Sequence, residues 1–383
     1  MINPFRSTCE VHSLPLRCYL ETSLVNVFSF NISEAIPLRV LDLNTWGLPW
    51  PISLDRETRF RALREVIAHS TYDVILFQEV WFRSDHELLS SALPHSTYFG
   101  IFNSGCSGYL LPIGCSGLTI LSRHPFLEVD FTPFKLRGSF WSFDGEIFVH
   151  KGLGRARIDV QGIKIDLFTT HLVSYTVNPN RENRRVRYKQ THETVKYIAQ
   201  SNADVKIFSG DVNALPLQGP DQPYTILTSL MTDALVDKYP NASSHPWFAT
   251  FGNHHNTYTH DSLPERIDYL MYWAAPHVAM KTMNFTMPMY NTINKEGQVV
   301  SLSDHEALQA DFLIERRKQP LLRPRKKPLN RSDKFFRYNV PRNTPPPRPP
   351  QNRRPTNPLL LNTRQQRGMS PQVKRTLQKR TSE

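Results

Sequence analysis

The most constraining feature of this sequence is a set of short polar segments that follow apolar runs. The runs are short and rich in Val, Ile, Leu and Phe, which is typical of buried β-strands. Polar groups at the ends of parallel or mixed strands converge on one side of a sheet, where clefts form. We therefore expect the segments to meet in one cleft. They are Leu41–Asn44, Phe77–Glu79, Thr169–His171, Ser209–Asn213, Arg266–Tyr269 and Ser303–His305.

Strand-like and helix-like segments alternate between Leu38 and about Glu315, which predicts an α/β (α+β) domain. A helix is predicted over Asp55–Ser70, with Asp55 as its N-cap, and a second over Arg181–Ser201. The predicted strands are Leu38–Leu43, Val74–Val80, Leu118–Leu121, Ile163–Phe168, Val205–Phe208, Ile267–Tyr272 and Ala307–Ile314.

The positive charge of the chain is confined to its C-terminal segment. Residues 316–383 contain 20 Lys or Arg and 2 Asp or Glu, a net charge of +18, which leaves −6 for the remainder. That segment also holds 12 of the 30 prolines, so we predict a disordered basic tail over 316–383. Residues 38–315 form the predicted catalytic domain, and residues 1–37 form an N-terminal arm of unknown role.

The cysteines and the apolar content bear on the cellular compartment. Cys9 and Cys18, like Cys106 and Cys115, are separated by eight residues, a wider spacing than that of zinc-binding pairs. Free thiols in a reducing compartment are the simpler interpretation, and disulfides within each pair are the alternative. No apolar stretch is long enough to span a membrane, and no clear signal peptide is present. We expect an intracellular protein peripheral to membranes, with a secreted form as the alternative.

Two of the polar segments contain candidate metal ligands. Glu79 ends the apolar run Val74–Phe77, where a carboxylate is costly unless it is paired or bound to a metal. Asn44 has a similar position after Val40–Leu43. Mg²⁺ prefers oxygen ligands of this kind. The structural alternatives are a strand-end Glu that reaches solvent and an Asn that turns the chain.

The other segments contain candidate proton-transfer and phosphate-binding groups. Asp211 and Asn213 stand two residues apart after a predicted strand and could face one ion or phosphate, although an Asx turn is the alternative. His305, next to Asp304, could accept a proton from water, with Asp268 as a candidate to fix its tautomer. His171 follows another strand, where a packed histidine is the alternative. Together these residues suggest a metal-assisted phosphoesterase.

Several segments resemble the endonuclease/exonuclease/phosphatase superfamily, and within it the neutral sphingomyelinases. The resemblance covers about residues 38–315. The segments that carry it are Leu38–Pro49 with Asn-Thr-Trp-Gly-Leu-Pro, Tyr72–Trp81 with Glu-Val-Trp, Ser116–Pro125, Lys151–Gly154, Thr170–Leu172, Gly210–Asn213, Arg266–Tyr269 and Ser303–Leu308.

The resemblance implies a DNase I-like fold, which is a four-layer α/β/β/α sandwich of two mixed sheets. It implies a site for Mg²⁺, with Mn²⁺ as an alternative, in which Glu79 is the central ligand and Asn44 and Asp304 contribute. His305 would be the general base, oriented by Asp268. The remaining implied site residues contact the water or the phosphate, namely Asp211, Asn213, His171 and Lys151.

The implied substrate is sphingomyelin or a related sphingophospholipid or lysophospholipid at a membrane surface. Its quaternary ammonium group would be attracted to aromatic faces, and Trp46 and Trp81 lie close in sequence to Asn44 and Glu79. The aromatic stretch Phe134–Phe148 is either an exposed loop that enters lipid or a packed hairpin. The basic tail could bind anionic lipid, nucleic acid or domains that read proline motifs.

Three functions remain in competition at this point. The first is a Mg²⁺-dependent sphingomyelin phosphodiesterase that releases ceramide and phosphocholine. The second is a DNA or RNA endonuclease of the same fold, which the charge of −6 outside the tail disfavours. The third is a catalytically silent protein that binds membranes or nucleic acid, which the complete set of candidate site residues disfavours.

Overall fold

Two six-stranded β-sheets form the centre of the structure. The computed structural model describes residues 35–100, 115–138, 149–174, 181–242 and 248–317. The predicted N-terminal arm and basic tail therefore lie almost entirely outside the described residues. So do residues 139–148 of the aromatic stretch and three of the four cysteines, Cys9, Cys18 and Cys106.

The first sheet places β1 (Ile36–Asn44) and β2 (Val74–Gln78) next to each other at its centre. These two strands are parallel, and every other neighbouring pair in the sheet is antiparallel. In spatial order the strands are β11 (Val278–Thr286), β14 (Leu308–Arg316), β1 (Ile36–Asn44), β2 (Val74–Gln78), β4 (Cys115–Ser122) and β3 (His95–Gly100).

The second sheet has the same plan. Its one parallel pair is β7 (Ile163–His171) and β8 (Val205–Asp211), and its other neighbouring strands are antiparallel. A short hairpin, β12 (Asn291–Ile293) and β13 (Val299–Ser301), lies outside both sheets. In spatial order the strands of the second sheet are β5 (Phe126–Pro133), β6 (Gly152–Val160), β7 (Ile163–His171), β8 (Val205–Asp211), β10 (Asp268–Ala274) and β9 (Thr232–Asp233).

The side chains of the central strands alternate between two cores, because successive residues of a strand point to opposite faces. On β1, Leu38 and Val40 join a core shared with Ile165 and Ile207 of the second sheet. The opposite face of each sheet, directed away from the other sheet, is covered by helices. The predicted four-layer α/β/β/α sandwich is confirmed.

Five helices lie among the described residues, and none of them is both long and apolar enough to cross a membrane. They are α1 (Arg56–Ala68), α2 (Arg83–Ser90), α3 (Arg181–Gln200), α4 (Pro223–Thr228) and α5 (Ala234–Lys238). On α1 the predicted apolar face is buried, and Phe60, Leu63 and Ile67 pack against the first sheet.

Two local predictions are wrong. Asp55 occupies the N-cap position of α1, but its side chain makes no capping hydrogen bond. Its backbone is left-handed, with φ 51°, and its carboxylate accepts a hydrogen bond from Tyr258 Oη at 3.1 Å instead. Cys115, at the start of β4, is disulfide-bonded, so the free-thiol interpretation does not hold for this residue.

Both parallel pairs end at the place where the polar segments meet. Asn44 at the end of β1 is in register with Gln78 at the end of β2. In the second sheet, His171 at the end of β7 is in register with Asp211 at the end of β8, and Asp268 pairs with Asp211 from β10. The two sheets therefore present their polar strand ends on the same side of the sandwich.

Candidate active site

Asn44 joins the polar strand ends of the two sheets. Its side-chain Nδ2 donates to Glu79 Oε1 at 3.1 Å and to Asp211 Oδ2 at 3.0 Å, and lies 3.5 Å from His305 Nε2. Its Oδ1 accepts a hydrogen bond from the Trp46 amide at 3.0 Å. The sequence predicts Asn44 as a metal ligand. In the structure its oxygen accepts from the Trp46 amide, and its nitrogen lies beside the carboxylates.

Glu79 is held in an unusual backbone conformation directly after β2. Its φ of 58° lies in the left-handed region, which is uncommon for residues other than glycine and occurs most often at functional sites. Its carbonyl accepts from the Gly47 amide at 3.0 Å, and a Cβ at Gly47 would come within 2.2 Å of that carbonyl oxygen. Gly47 is thus required for the close approach that fixes Glu79.

His305 and Asp268 form a buried pair. His305 Nδ1 lies 2.9 Å from Asp268 Oδ2, and both side chains are less than a tenth exposed. Burial alone would lower the pKa of His305, but the carboxylates of Asp268 and Asp304 outweigh it and raise that pKa well above its ordinary value. The pair leaves Nε2 directed toward Asn44 and Asp211.

The carboxyl groups around His305 are unusually basic. Burial, together with repulsion from Asp268, raises the pKa of Asp211 to about 7. Burial also raises the pKa of Asp304 to about 6, with a contribution from Glu79. Crowded buried carboxyl groups of this kind are typical of functional sites, where a cation or a protonated group relieves the repulsion.

His171 lies between the carboxylates of the two sheets. Its Nε2 is 3.5 Å from Asp211 Oδ2 and its Nδ1 is 3.9 Å from Glu79 Oε1. Burial, assisted by Lys151 and His305, lowers the pKa of His171 well below its ordinary value. His171 is therefore a neutral imidazole that can donate one hydrogen bond and accept another.

Lys151 and Asn213 meet on the carbonyl oxygen of Leu172. Lys151 Nζ donates to it at 2.7 Å and Asn213 Nδ2 at 3.2 Å. The Asn213 amide also donates to Asp211 Oδ1 at 2.8 Å, which confirms the Asx-type turn considered for this segment. Both residues thus hold the ends of β7 and β8 in place.

The two predicted substrate-binding tryptophans differ in their surroundings. Trp81 is only 3% exposed, and its Nε1 donates to Glu79 Oε2 at 3.2 Å, so it orients the carboxylate and does not present an open ring face. Trp46 is partly exposed, and its ring centroid lies 4.9 Å from that of Tyr258. Of these two tryptophans, Trp46 is the one with a partly exposed ring beside the site.

Sequence reasoning missed several residues that position the site. Thr250 Oγ1 accepts from the amides of Ile267 and Asp268, which fixes the start of β10. Asp42 is buried behind the site, and its Oδ1 accepts from Gln78 Nε2 at 2.8 Å. Thr250 carries no local sequence signal. Asp42 does carry one, because an acidic residue inside an apolar strand is costly unless it has a specific role.

Two groups of side chains in the site fit a divalent cation. One ligand atom from each of Glu79, His171 and Asp211 lies within 4.8 Å of the other two, and the same holds for Asp211, Asp268 and His305. His171 Nδ1 and Asp268 Oδ1 are buried and have no hydrogen-bond partner among the described residues. Unpartnered buried atoms beside crowded carboxylates are suited to an ion that prefers oxygen and nitrogen ligands.

Comparisons with curated proteins give relatives with sphingolipid-related names. The chain is 32% identical over 292 residues to a putative neutral sphingomyelinase of Drosophila melanogaster, a match that covers 73% of this chain and 61% of the fly protein. It is 32% identical over 228 residues to an inositol phosphosphingolipids phospholipase C of Schizosaccharomyces pombe, covering 56% and 50%. Sphingomyelin phosphodiesterase 2 of Mus musculus is 28% identical, covering 74% and 67%. The chain thus spans about half to two thirds of the length of these relatives.

Solved structures share the fold. Sphingomyelinase C from Streptomyces griseocarneus superposes with a TM-score of 0.52 at 17% identity, over 72% of this chain and 99% of that one. D. rerio TDP2 complexed with a single-strand DNA product gives a TM-score of 0.53 at 20% identity, over 72% and 98%. The sequence profile of the endonuclease/exonuclease/phosphatase family matches residues 29–305. The chain therefore belongs to the endonuclease/exonuclease/phosphatase family, and its curated relatives lie in the sphingomyelinase branch.

Proposed function

We propose that this chain is a cation-dependent phosphodiesterase that hydrolyses sphingomyelin or a related sphingophospholipid, with ceramide and phosphocholine as the products from sphingomyelin. The observation that carries the proposal is the His305–Asp268 pair, whose Nε2 faces Asn44 and Asp211. The sphingolipid-related names of the curated relatives support the choice of substrate.

The cation is held, in this proposal, mainly by Glu79, with Asp211 and Asp304 as neighbouring oxygen donors. Mg²⁺ is the expected ion, since carboxylate oxygens are the ligands it prefers, and Mn²⁺ is the alternative. A bound divalent cation supplies positive charge that offsets the charge developing on the phosphoryl oxygens. Asn44 orients Glu79 and Asp211 through its Nδ2 and serves as a positioning residue in place of its predicted role as a ligand.

His305 acts as the general base. Asp268 accepts the Nδ1 hydrogen. The neighbouring carboxylates raise the pKa of His305, and a divalent cation bound among them would offset that effect, so that Nε2 would carry a lone pair directed at the site. The water oxygen forms a bond to phosphorus and its proton passes to Nε2. The bond from phosphorus to the ceramide oxygen breaks, and that oxygen takes up a proton from solvent to give ceramide. Positioned general acid–base help of this kind contributes roughly 10²–10⁴-fold to the rate.

His171 stabilises the phosphoryl group, and Asn213 and Lys151 position His171. The neutral imidazole of His171 lies between Glu79 and Asp211 and can donate a hydrogen bond to a phosphoryl oxygen. Asn213 and Lys151 act through the Leu172 carbonyl and hold His171 and Asp211 in register. Preorganised donors of this kind stabilise charge that develops in the transition state.

The proposal is tested by offering two substrates to the purified chain with Mg²⁺. Labelled sphingomyelin in mixed micelles and supercoiled plasmid DNA are incubated side by side, with a matched His305→Ala variant as the control. We expect wild-type protein to release phosphocholine and to leave the plasmid intact. Nicked plasmid beside untouched lipid would overturn the sphingolipid assignment in favour of a nuclease.

A further inference from the structure

We propose that residues 48–54 form a lipid-docking loop, in which Trp50, Ile52 and Leu54 enter the surface of a phospholipid bilayer and bring the site to its substrate. The inference rests on the proposed function, because a sphingophospholipid is held in a bilayer. It adds to that function a docking element between β1 and α1.

The exposure of this loop is the first observation. Trp50 is 80% exposed, Ile52 is 60% exposed and Leu54 is 46% exposed. The segment from Trp46 to Leu54 carries no charged residue. Single exposed apolar residues are ordinary, but three in five consecutive positions, with Trp at the most exposed one, mark an interaction surface.

The backbone of the loop tip suits an apolar environment. Polar backbone groups that enter lipid are costly unless they are hydrogen-bonded within the protein. The amides of Ile52 and Ser53 both donate to the Pro49 carbonyl, at 3.0 and 3.3 Å. Pro49 and Pro51 have no amide hydrogen. The tip therefore presents few free backbone donors, which favours lipid over water or a polar protein surface as its partner.

Arg59 holds the base of the loop in place. Its guanidinium is fully buried and donates to the carbonyls of Thr45, Trp46 and Leu54 and to Ser53 Oγ, at 2.6–2.9 Å. Ser53 Oγ in turn donates to the Trp46 carbonyl at 2.8 Å. A loop fixed in this way exposes its apolar side chains as part of the folded structure, so docking needs little further ordering.

The loop starts directly beside the site. Asn44 ends β1, and its Oδ1 fixes the Trp46 amide at the start of the connection. Six residues of extended chain span at most about 22 Å, so Trp50 lies within that distance of Asn44. A bilayer contacted by Trp50 therefore lies within reach of the site. Trp is also the side chain best suited to the boundary between headgroups and acyl chains.

The binding experiment uses the full chain and sedimentation with vesicles of phosphatidylcholine and sphingomyelin. The solution contains about 1 M salt, where the Debye length of about 3 Å suppresses attraction by the basic tail. The test variant carries Trp50→Ser, Ile52→Ser and Leu54→Ser. We expect its vesicle partition coefficient to fall by about tenfold or more, since each change removes an apolar side chain from the bilayer.

The matched control is Leu127→Ser. Leu127 is 55% exposed and lies near the start of β5, where Phe126 pairs with Ile158. The other end of β5, where Pro133 pairs with Gly152, is the end near Lys151 and the site. Leu127→Ser should leave partition unchanged. Equal partition of the loop variant and wild type, with both unfolding at the same temperature, would overturn the docking proposal.

An activity measurement separates this proposal from the proposed function. The loop variant should hydrolyse vesicle sphingomyelin about tenfold more slowly, in step with its weaker partition. Its rate on a water-soluble aryl ester of phosphocholine should equal that of wild type. If wild type binds vesicles through the loop and cleaves neither substrate, the docking proposal stands and the proposed function fails. If wild type and variant cleave vesicle lipid equally fast, only the docking proposal fails.

Discussion

His305 and Asp268 connect the two sheets of the sandwich across 2.9 Å, from His305 Nδ1 to Asp268 Oδ2. Asp268 starts β10 of the second sheet, and His305 lies three residues before β14 of the first. The pair therefore depends on the face-to-face packing of the two sheets. This relationship explains how residues from distant parts of the sequence come together in the proposed catalytic unit.

Replacing Asp268 by Asn should lower kcat by about 10²–10⁴-fold with little loss of structure. The amide keeps the shape of the carboxylate but no longer favours the tautomer with its lone pair on Nε2. His305→Ala should lower kcat at least as much. Both are measured on sphingomyelin in mixed micelles, with circular dichroism to check the fold. A near-normal kcat for either variant would contradict the proposed role of His305 as the general base.

Replacing Glu79 by Gln should weaken binding of the cation. The change keeps the size of the side chain and removes the carboxylate charge that attracts the ion. Titration of Mn²⁺ by electron paramagnetic resonance measures the affinity directly, without reference to turnover. We expect an affinity at least about tenfold lower than that of wild type, from the loss of one charged ligand. Glu87→Gln, on the exposed side of α2, is the control, and equal affinities for all three proteins would place the ion elsewhere.

Asp42 should make the folded state less stable as the pH rises. Burial, with repulsion from Asp268, raises the pKa of Asp42 well above its ordinary value. The folded chain then binds this proton more tightly than the unfolded chain does. Between the ordinary Asp pKa of about 3.9 and the raised value, wild-type protein loses stability with increasing pH through this group.

The variant Asp42→Asn cannot lose a proton and should therefore gain stability over wild type as the pH rises from about 5 to about 7. Urea unfolding at several pH values measures the difference. Asp261→Asn, at a side chain that is 93% exposed, is the control and should show a flat difference. A difference for Asp42→Asn that is equally flat would contradict the assignment of a bound proton to Asp42.

Replacing Arg59 by Met should destabilise the fold by about 2–4 kcal/mol, because buried carbonyls lose their donor. Arg61→Met removes an exposed pair with Glu57 and should cost less than about 1 kcal/mol. Urea unfolding gives both values. Similar small losses for the two variants would show that Arg59 is not needed to hold the loop.

Removing residues 318–383 should leave turnover on mixed micelles unchanged and weaken binding to anionic vesicles. The removed segment contains 18 basic and 2 acidic residues. Each basic residue near an anionic surface contributes about 1 kcal/mol of attraction. Sedimentation with vesicles that contain phosphatidylserine, at low salt, measures the change. Unchanged sedimentation would exclude the anionic-lipid role of the tail.

The sequence predicts the positions of the central strands because buried strands have a strong apolar signal. Glu79, Asp211 and Asp268 all lie where the polar segments predict, and β1 and β14 extend only slightly beyond the predicted domain bounds of 38 and 315. The orientation of Asn44 could not be predicted, because it depends on a hydrogen bond from the Trp46 amide. The burial of Trp81 likewise depends on packing between elements distant in sequence.

The roles of Arg59 and Thr250 were also beyond sequence reasoning. Arg59 contacts backbone carbonyls from three separate segments, which include Leu302. Thr250 fixes Asp268 from a loop before β10. Contacts of this kind are set by tertiary structure and leave no periodic pattern in the chain.

The most direct test of the central claim is hydrolysis of sphingomyelin by the purified chain with Mg²⁺ in water enriched in ¹⁸O, followed by mass spectrometry of both products. Attack of water on phosphorus, assisted by His305, predicts one ¹⁸O atom in phosphocholine and none in ceramide, with no product from His305→Ala. Absence of phosphocholine from the wild-type reaction, or ¹⁸O in ceramide, would contradict the account.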